Sequence, residues 1–416
     1  MSVKRGFRLL LITFVSLAPA GVALAASPED VLRPVLNDPR LEDYRAAVNL
    51  AADAQSKNPI AKAELKLGRG EWEKNDIKYG FRVYPKGISE YGAASRFQEA
   101  LVQNEKAAQA EGVSLLLAQR YQLLARMTNL KERKKIADEV SSLVKKASRA
   151  LSVAAQKDRA ELKSFLKTKT DLDKLSIKFA DVDRDFVNLE LEMKDLKLAS
   201  LESYDLSELA EMADLRRRLD EIAAAGASGP QGKILSVALA EKEIQKIRAE
   251  SEYGRARADK WIDHIELSLK EEKAEKIYGV ELSLNLPFLG APDVSRAEKE
   301  ARARREEAKA VDTIQTMDRE TKNVLGELRT LLGLHQSLAE SQSRLTPEQM
   351  KKASRAISVQ DPLLAVEMQR GWFEGREQVL DLEFRIRTLY ITYLHEMAVI
   401  ANSPSVNHLS KSLRSF

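Results

Sequence analysis

The chain has 416 residues, 44% hydrophobic and 31% charged, with a formal net charge of +4 and no cysteine. This composition excludes a disordered tail protein and a polytopic helical membrane protein, and the missing cysteine excludes disulfides, thiolate metal sites, a cysteine nucleophile and an N-terminal lipid anchor on cysteine. With only 18 glycines and 12 prolines to make turns, long helices are expected.

Residues 1–25 read as an export signal. Lys4, Arg5 and Arg8 form a basic start, "LLLITFVSLAPAGVALA" is the apolar run, and Ala23-Leu24-Ala25 is a small-x-small cleavage site. Removing these three cations takes the formal charge from +4 to +1, so a nucleic-acid partner is not indicated. No later stretch is long and apolar enough to cross a bilayer as a helix. An exported chain of this kind is periplasmic, secreted, or built into an outer membrane by strands.

Residues 26–200 form a first structural repeat, with its strands at about 62–84. The segment "NDPRLEDYRAAVNLAADAQSKNP" has helical composition. Ala63, Leu65 and Leu67 then alternate with polar residues, as do Ile77, Tyr79, Phe81 and Val83, which predicts a hairpin. After Pro85 and Gly87 the stretch from Ser95 to about Leu143 has no proline and a single glycine, Gly112. From about Ala155 to Leu198 there is neither. Helices of 45–50 residues are about 70 Å long at 1.5 Å per residue, and they persist in water only by packing along one another.

An inter-repeat region follows at 201–232, and a second repeat occupies 233–402. Its strands are expected at about 262–288. Ile265, Leu267 and Leu269 alternate with His264, Glu266, Ser268 and Lys270. Val280, Leu282, Leu284, Leu286 and Phe288 alternate with Glu281, Ser283, Asn285 and Pro287, across the turn "EEKAEK". Another long proline-free helix runs from Ser295 to about Leu345. The nonamer "KKASRALSV" at 145–153 returns as "KKASRAISV" at 351–359, with one difference. The hairpins are offset by about 201 residues and the nonamers by 206, so the chain is two copies of helix, strand, strand, helix, helix, followed by a tail at 403–416.

Four strands with oily faces do not close a barrel alone, and a lipid-exposed sheet must close. Three chains giving four strands each make twelve, enough for a water-filled interior. Leu65, Leu67, Tyr79, Phe81, Val83, Ile265, Leu267, Leu269, Val280, Leu282, Leu284 and Leu286 are then the lipid-facing candidates. Glu64, Lys66, Lys78, Arg82, Glu266, Lys270, Glu281 and Asn285 line the lumen, and Trp72, Tyr79, Trp261 and Tyr278 supply interfacial aromatics. A periplasmic helical-hairpin structural or adaptor protein without a pore is the alternative, although no lipoyl-like β module lies between the hairpin arms.

The stretches "NDPRLEDYRAAVNLAADAQSKNPIAKAELKLG", "YGVELSLNLPFLGAPDVSRAEKEARARREEA" and "SVQDPLLAVEMQRGWFEGREQVLDLEFRIRTLYITYLHEM" resemble, in order, three parts of the TolC-like outer-membrane efflux proteins. They resemble the opening helix, the second-repeat strand running into its helix, and the returning helix. The resemblance spans nearly the whole mature chain. It implies a mainly α fold with a small β part, in which a long coiled-coil helical barrel joins a twelve-stranded transmembrane β-barrel shared by a homotrimer. It also implies outer-membrane lipid around the strands, a periplasmic adaptor and inner-membrane pump as partners, and a passive export duct opened at its periplasmic tips. The linker around "LDEIAAAGASGPQGK" is then expected in a belt between the repeats. The sequence departs from the family at the returning turn of the second repeat, which has no glycine, and at an acidic pair matched only by Asp361, since the second position is Leu364.

No catalytic residues and no cofactor are expected. His264, His335, His395 and His408 are far apart in sequence, with no carboxylate or second histidine at ligand spacing, so no metal site is expected either. There is no phosphate-binding glycine loop or Gly-x-Ser-x-Gly turn. The remaining candidates are conduit features. Lys145, Lys146, Arg149, Lys351, Lys352 and Arg355 are expected at the periplasmic tips as adaptor contacts, with small Ala147, Ser148, Ala150, Ala353, Ser354 and Ala356 allowing close helix approach. Asp361 is the candidate for a carboxylate ring at the tunnel mouth; it also reads as a helix cap before Pro362.

Overall fold

The computed structural model describes residues 26–54, 58–69, 77–154, 159–228, 234–272, 275–284, 294–343, 346–358 and 362–416. The export signal therefore lies outside the described residues. A short helix α1 (Glu29–Leu32) leads into α2 (Pro39–Asp53). Asp38 caps α2: its carboxylate accepts the Arg40 backbone N–H at 3.0 Å and the Arg40 guanidinium at 2.9 Å. Pro39 occupies the first helical position, where a missing N–H costs nothing. The Arg40 side chain lowers the Asp38 pKa to about 2.

Strands β1 (Ile60–Arg69) and β2 (Ile77–Pro85) precede α3 (Ile88–Ala154) and α4 (Arg159–Asp195). Then come α5 (Met212–Ser228), α6 (Leu235–Ala258), β3 (Ile262–Glu272), β4 (Glu275–Leu284), α7 (Val294–Ser343), α8 (Pro347–Ser358), α9 (Pro362–Glu396) and α10 (Val399–Asn402). The tandem plan is visible as α2-β1-β2-α3-α4 against α6-β3-β4-α7/α8-α9. No described helix is long and apolar enough to cross a membrane.

The long helices pair as the sequence pattern demands. On α4, Leu172, Leu175, Phe179, Val182, Phe186, Leu189 and Met193 repeat at alternating three- and four-residue steps and turn inward, Phe186 partly. This 3.5-residue period is a coiled-coil seam, and α4 packs along α3 with it. Lys134–Asp183 and Arg126–Glu192 (2.7 Å) flank the pair. Helix α3 also packs on α2, α6 and α9, while α9 packs on α7 and α8.

The inter-repeat stretch is helical over much of its described length. "LDEIAAAGAS" is the C-terminal part of α5, because its alanines are the strongest helix formers and outweigh the single glycine.

The core sits in the helical middle. Here the chain start, the 201–210 segment and the C-terminal tail converge on α3. Tyr121, fully buried, donates its hydroxyl hydrogen to the Val406 carbonyl (2.6 Å) and accepts the His408 N–H (3.1 Å). Buried Asn407 donates to Glu29 (2.8 Å), and Arg218 donates to the carbonyls of His408 and Lys411. The Tyr121→Phe variant leaves a partly buried carbonyl and a buried N–H without this hydroxyl. It is expected to lower the unfolding free energy by about 1–3 kcal/mol in chemical denaturation; an unchanged midpoint removes the hydroxyl from the account.

Candidate functional site

The four strands form one antiparallel sheet in the order β1-β2-β3-β4. Repeat one supplies β1 and β2, repeat two supplies β3 and β4, and β2 pairs with β3 between repeats. Strict alternation assigns each side chain to one face. Leu65, Phe81, Leu267 and Val280 form one cross-strand row; Leu67, Tyr79, Leu269 and Tyr278 form the next; Ala63, Val83, Ile265 and Leu282 form the one below. Leu284 lies opposite Ile262 past a register irregularity in β3.

The sequence-predicted apolar residues thus share a face, and it is open to the surroundings. Leu65 is 73% exposed and Val280 75%, and Leu67, Tyr79, Phe81, Leu267, Leu282 and Leu284 are also exposed. Val83, Ile265 and Leu269 are half-buried. Leu286, Asn285 and Trp72 lie outside the described residues. The strands extend two residue pairs farther into the expected "EEKAEK" turn, as far as Glu272 opposite Glu275.

The opposite face is polar and ion-paired. Glu64, Arg82, Glu266 and Glu281 form one row across all four strands. Buried Glu266 accepts from Arg82 Nε at 2.8 Å and pairs with Lys66 at 3.5 Å, tying the two repeats together. Glu64 accepts the Tyr84 hydroxyl at 3.0 Å and pairs with Lys62. Gly80 keeps the next row low. A Cβ there would sit 3.1 Å from Glu266 Oε1, so a side chain would displace the carboxylate from its cations.

Two of the four histidines do find carboxylates, contrary to the expectation from spacing. His264 Nδ1 donates to Asp263 Oδ2 at 3.0 Å, and its Nε2 lies 3.9 Å from Glu281 Oε1. His335 Nε2 is 3.2 Å from Glu383, which also pairs with Arg387. Burial pushes the Glu383 carboxyl up, but His335 and Arg387 outweigh it and hold it below the ordinary carboxylate range. The hairpin register was the available signal for Glu281, since a turn over 271–276 already sets Lys270 opposite Ile277 and Glu266 opposite Glu281.

At the far end of the helices the two nonamers are not equivalent. The first forms the last turns of the 67-residue α3, and residues 351–358 of the second belong to the separate 12-residue α8. Lys145, Lys351, Lys352 and Arg355 are exposed; the side chains of Lys146 and Arg149 lie outside the described residues. Ser354 is buried and accepts from Gln369 of α9, whereas Ser148 and Ala356 are exposed. Asp361 lies outside the described residues, one position before α9.

Sequence reasoning missed the polar network that joins α4 to α9 near this end. Asp171 pairs with Arg370, and Thr168 donates to Glu367 at 3.3 Å. Glu377, only 2% exposed, binds Arg133 of α3 at 3.0 Å and Lys178 of α4 at 2.7 Å.

No protein-family model matches the sequence, and no curated protein does. Solved structures do match in shape. The Campylobacter jejuni CmeC outer membrane channel aligns with a TM-score of 0.58 at 12% identity, covering 90% of this chain and 84% of that one. The open state of the Neisseria gonorrhoeae MtrE outer membrane channel gives 0.56 at 14% identity, covering 88% and 85%. The outer membrane protein VceC from Vibrio cholerae gives 0.53 at 12% identity, covering 90% and 94%. This chain has the TolC-like outer-membrane channel fold. Each alignment takes in most of this chain and most of the other.

Proposed function

We propose that the chain is one protomer of a homotrimeric outer-membrane export conduit, carried across the inner membrane by residues 1–25. The observation that carries this reading is the sheet: an exposed apolar face, an ion-paired polar face, and outer edges on β1 and β4 that pair with no further strand among the described residues. Three such sheets joined edge to edge close a twelve-stranded barrel with lipid outside and water inside. The exposed apolar residues Ile177, Val187 and Leu191 on α4 give the helical part an oily flank for a neighbouring copy. Residues 26–200 and 233–402 are the two repeats, joined by 201–232 and closed by the tail 403–416. The test is cell fractionation with crosslinking. A detergent-requiring outer-membrane trimer supports the conduit, and a soluble periplasmic monomer sinks it in favour of a pore-free hairpin protein.

The helices form the periplasmic tunnel, and its inner end opens when an adaptor and inner-membrane pump engage the tips. The Asp171–Arg370, Thr168–Glu367 and Glu377 contacts hold α4 and α9 together in the resting arrangement, a two-state element for a partner to bias. Lys145, Lys146, Arg149, Lys351, Lys352 and Arg355 are the adaptor-facing cations. Replacing Lys145 and Lys351 together with Glu is expected to weaken adaptor crosslinking in whole cells; undiminished crosslinking removes these residues from the contact. Asp361 is proposed as a carboxylate ring near the axis. Asp361→Ala in planar bilayers is expected to abolish block by multivalent cations, and retained block overturns the ring. Export is passive and uses no catalysis by this chain.

A further inference from the structure

We infer that the polar face of the sheet carries a binding site for a divalent transition-metal ion, with His264 Nε2 and the Glu281 carboxylate as ligands and Asp263 as the positioning residue. His264 is 8% exposed, and its Nε2 has no hydrogen-bond partner. Buried polar atoms are nearly always partnered, so an orphaned imidazole nitrogen on a face rich in charged groups points to a ligand. The other ring nitrogen fixes what that ligand is. Nδ1–H donates to Asp263 at 3.0 Å, leaving Nε2 as a lone pair held in place by a carboxylate, the arrangement that orients metal-binding imidazoles. Asp263 is itself held by Lys260 at 3.5 Å. The Tyr84 ring lies 5.6 Å from the imidazole and walls its other side.

Charge on the same face selects the second ligand. Glu266 is occupied by Arg82 and Lys66, and Glu64 by Lys62 and Tyr84. Glu281 pairs with no lysine or arginine among the described residues, its side chain is 65% exposed, and its Oε1 is 3.9 Å from His264 Nε2. Two ligands at bonds of about 2.0–2.1 Å on a tetrahedral ion are about 3.3 Å apart. A small rotation of the exposed Glu281 supplies the difference.

No third histidine or carboxylate converges on the pair among the described residues. Water therefore completes the shell, and the site is open and exchangeable, suited to an ion in transit. Imidazole with one carboxylate favours zinc, nickel and copper over magnesium and calcium. Both ligands belong to one chain, so the site stands whether or not the trimer conducts; only its position along a conduit rests on the channel reading.

The test is calorimetric titration of the purified full-length protein in detergent with zinc chloride. One zinc per chain is expected, with magnesium chloride giving no signal. Glu281→Gln alters an exposed side chain, leaves the fold intact, and is expected to weaken zinc at least tenfold; His264→Gln is expected to abolish binding. Asp263→Asn is expected to cost about 10- to 100-fold in affinity, and an unchanged affinity there overturns the positioning role. Zinc binding that is absent from the wild type, or equal in the wild type and Glu281→Gln, overturns the site.

Discussion

Leu267→Arg is expected to keep the protein out of the outer membrane, while Ser268→Arg, one residue along the same strand, leaves it there. Leu267 lies in the row formed with Leu65, Phe81 and Val280, on the exposed apolar face. An arginine near the middle of a lipid-facing band costs about 2–4 kcal/mol per chain, and the proposed trimer carries it three times. Ser268 faces the other way, toward Lys66 and Glu266, where a charged side chain meets water and existing ions. Fractionation and the yield of trimer on a gel read both variants. Equal membrane yields for the two would mean that the apolar face does not meet lipid.

The second large effect is expected at Glu377. Its carboxylate is buried where α3, α4 and α9 meet and holds one cation from each of the other two helices. Glu377→Ala strands those charges, and removing one partner of a buried ion pair costs about 3 kcal/mol at the lower end of the usual range. The lower end applies because Lys178 is more than half exposed and rehydrates. The thermal midpoint is expected to fall, and the open probability in planar bilayers to rise as α9 loosens from α4. Unchanged melting together with unchanged conductance would show that the carboxylate is not holding the helices together.

Much of the fold was legible in the residues because its elements repeat at short range. Period-two runs such as Val280 to Leu284 and the glycine- and proline-free stretch around α4 specify strand and helix within a few turns of chain. The two nonamers announced the duplication. What stayed hidden depends on tertiary encounter. Arg133, Lys178 and Glu377 are 45 and 199 residues apart in sequence, and nothing local in any of them signals the others. The nonamers carried a subtler limit. Nearly identical sequence placed one copy on a continuous helix and the other on a separate one, because Pro347 and its surroundings break the second helix where the first runs on.

The open edges of the sheet have a genetic consequence. Under the trimer reading, β1 and β4 each end in a row of backbone groups that only another chain can pair. A cell expressing a normal and a defective allele together therefore builds mostly mosaic pores, and a single faulty subunit spoils the seam on both of its sides. Mutations in these two strands should behave as dominant, whereas mutations that merely unfold the chain, and so never reach assembly, should be recessive.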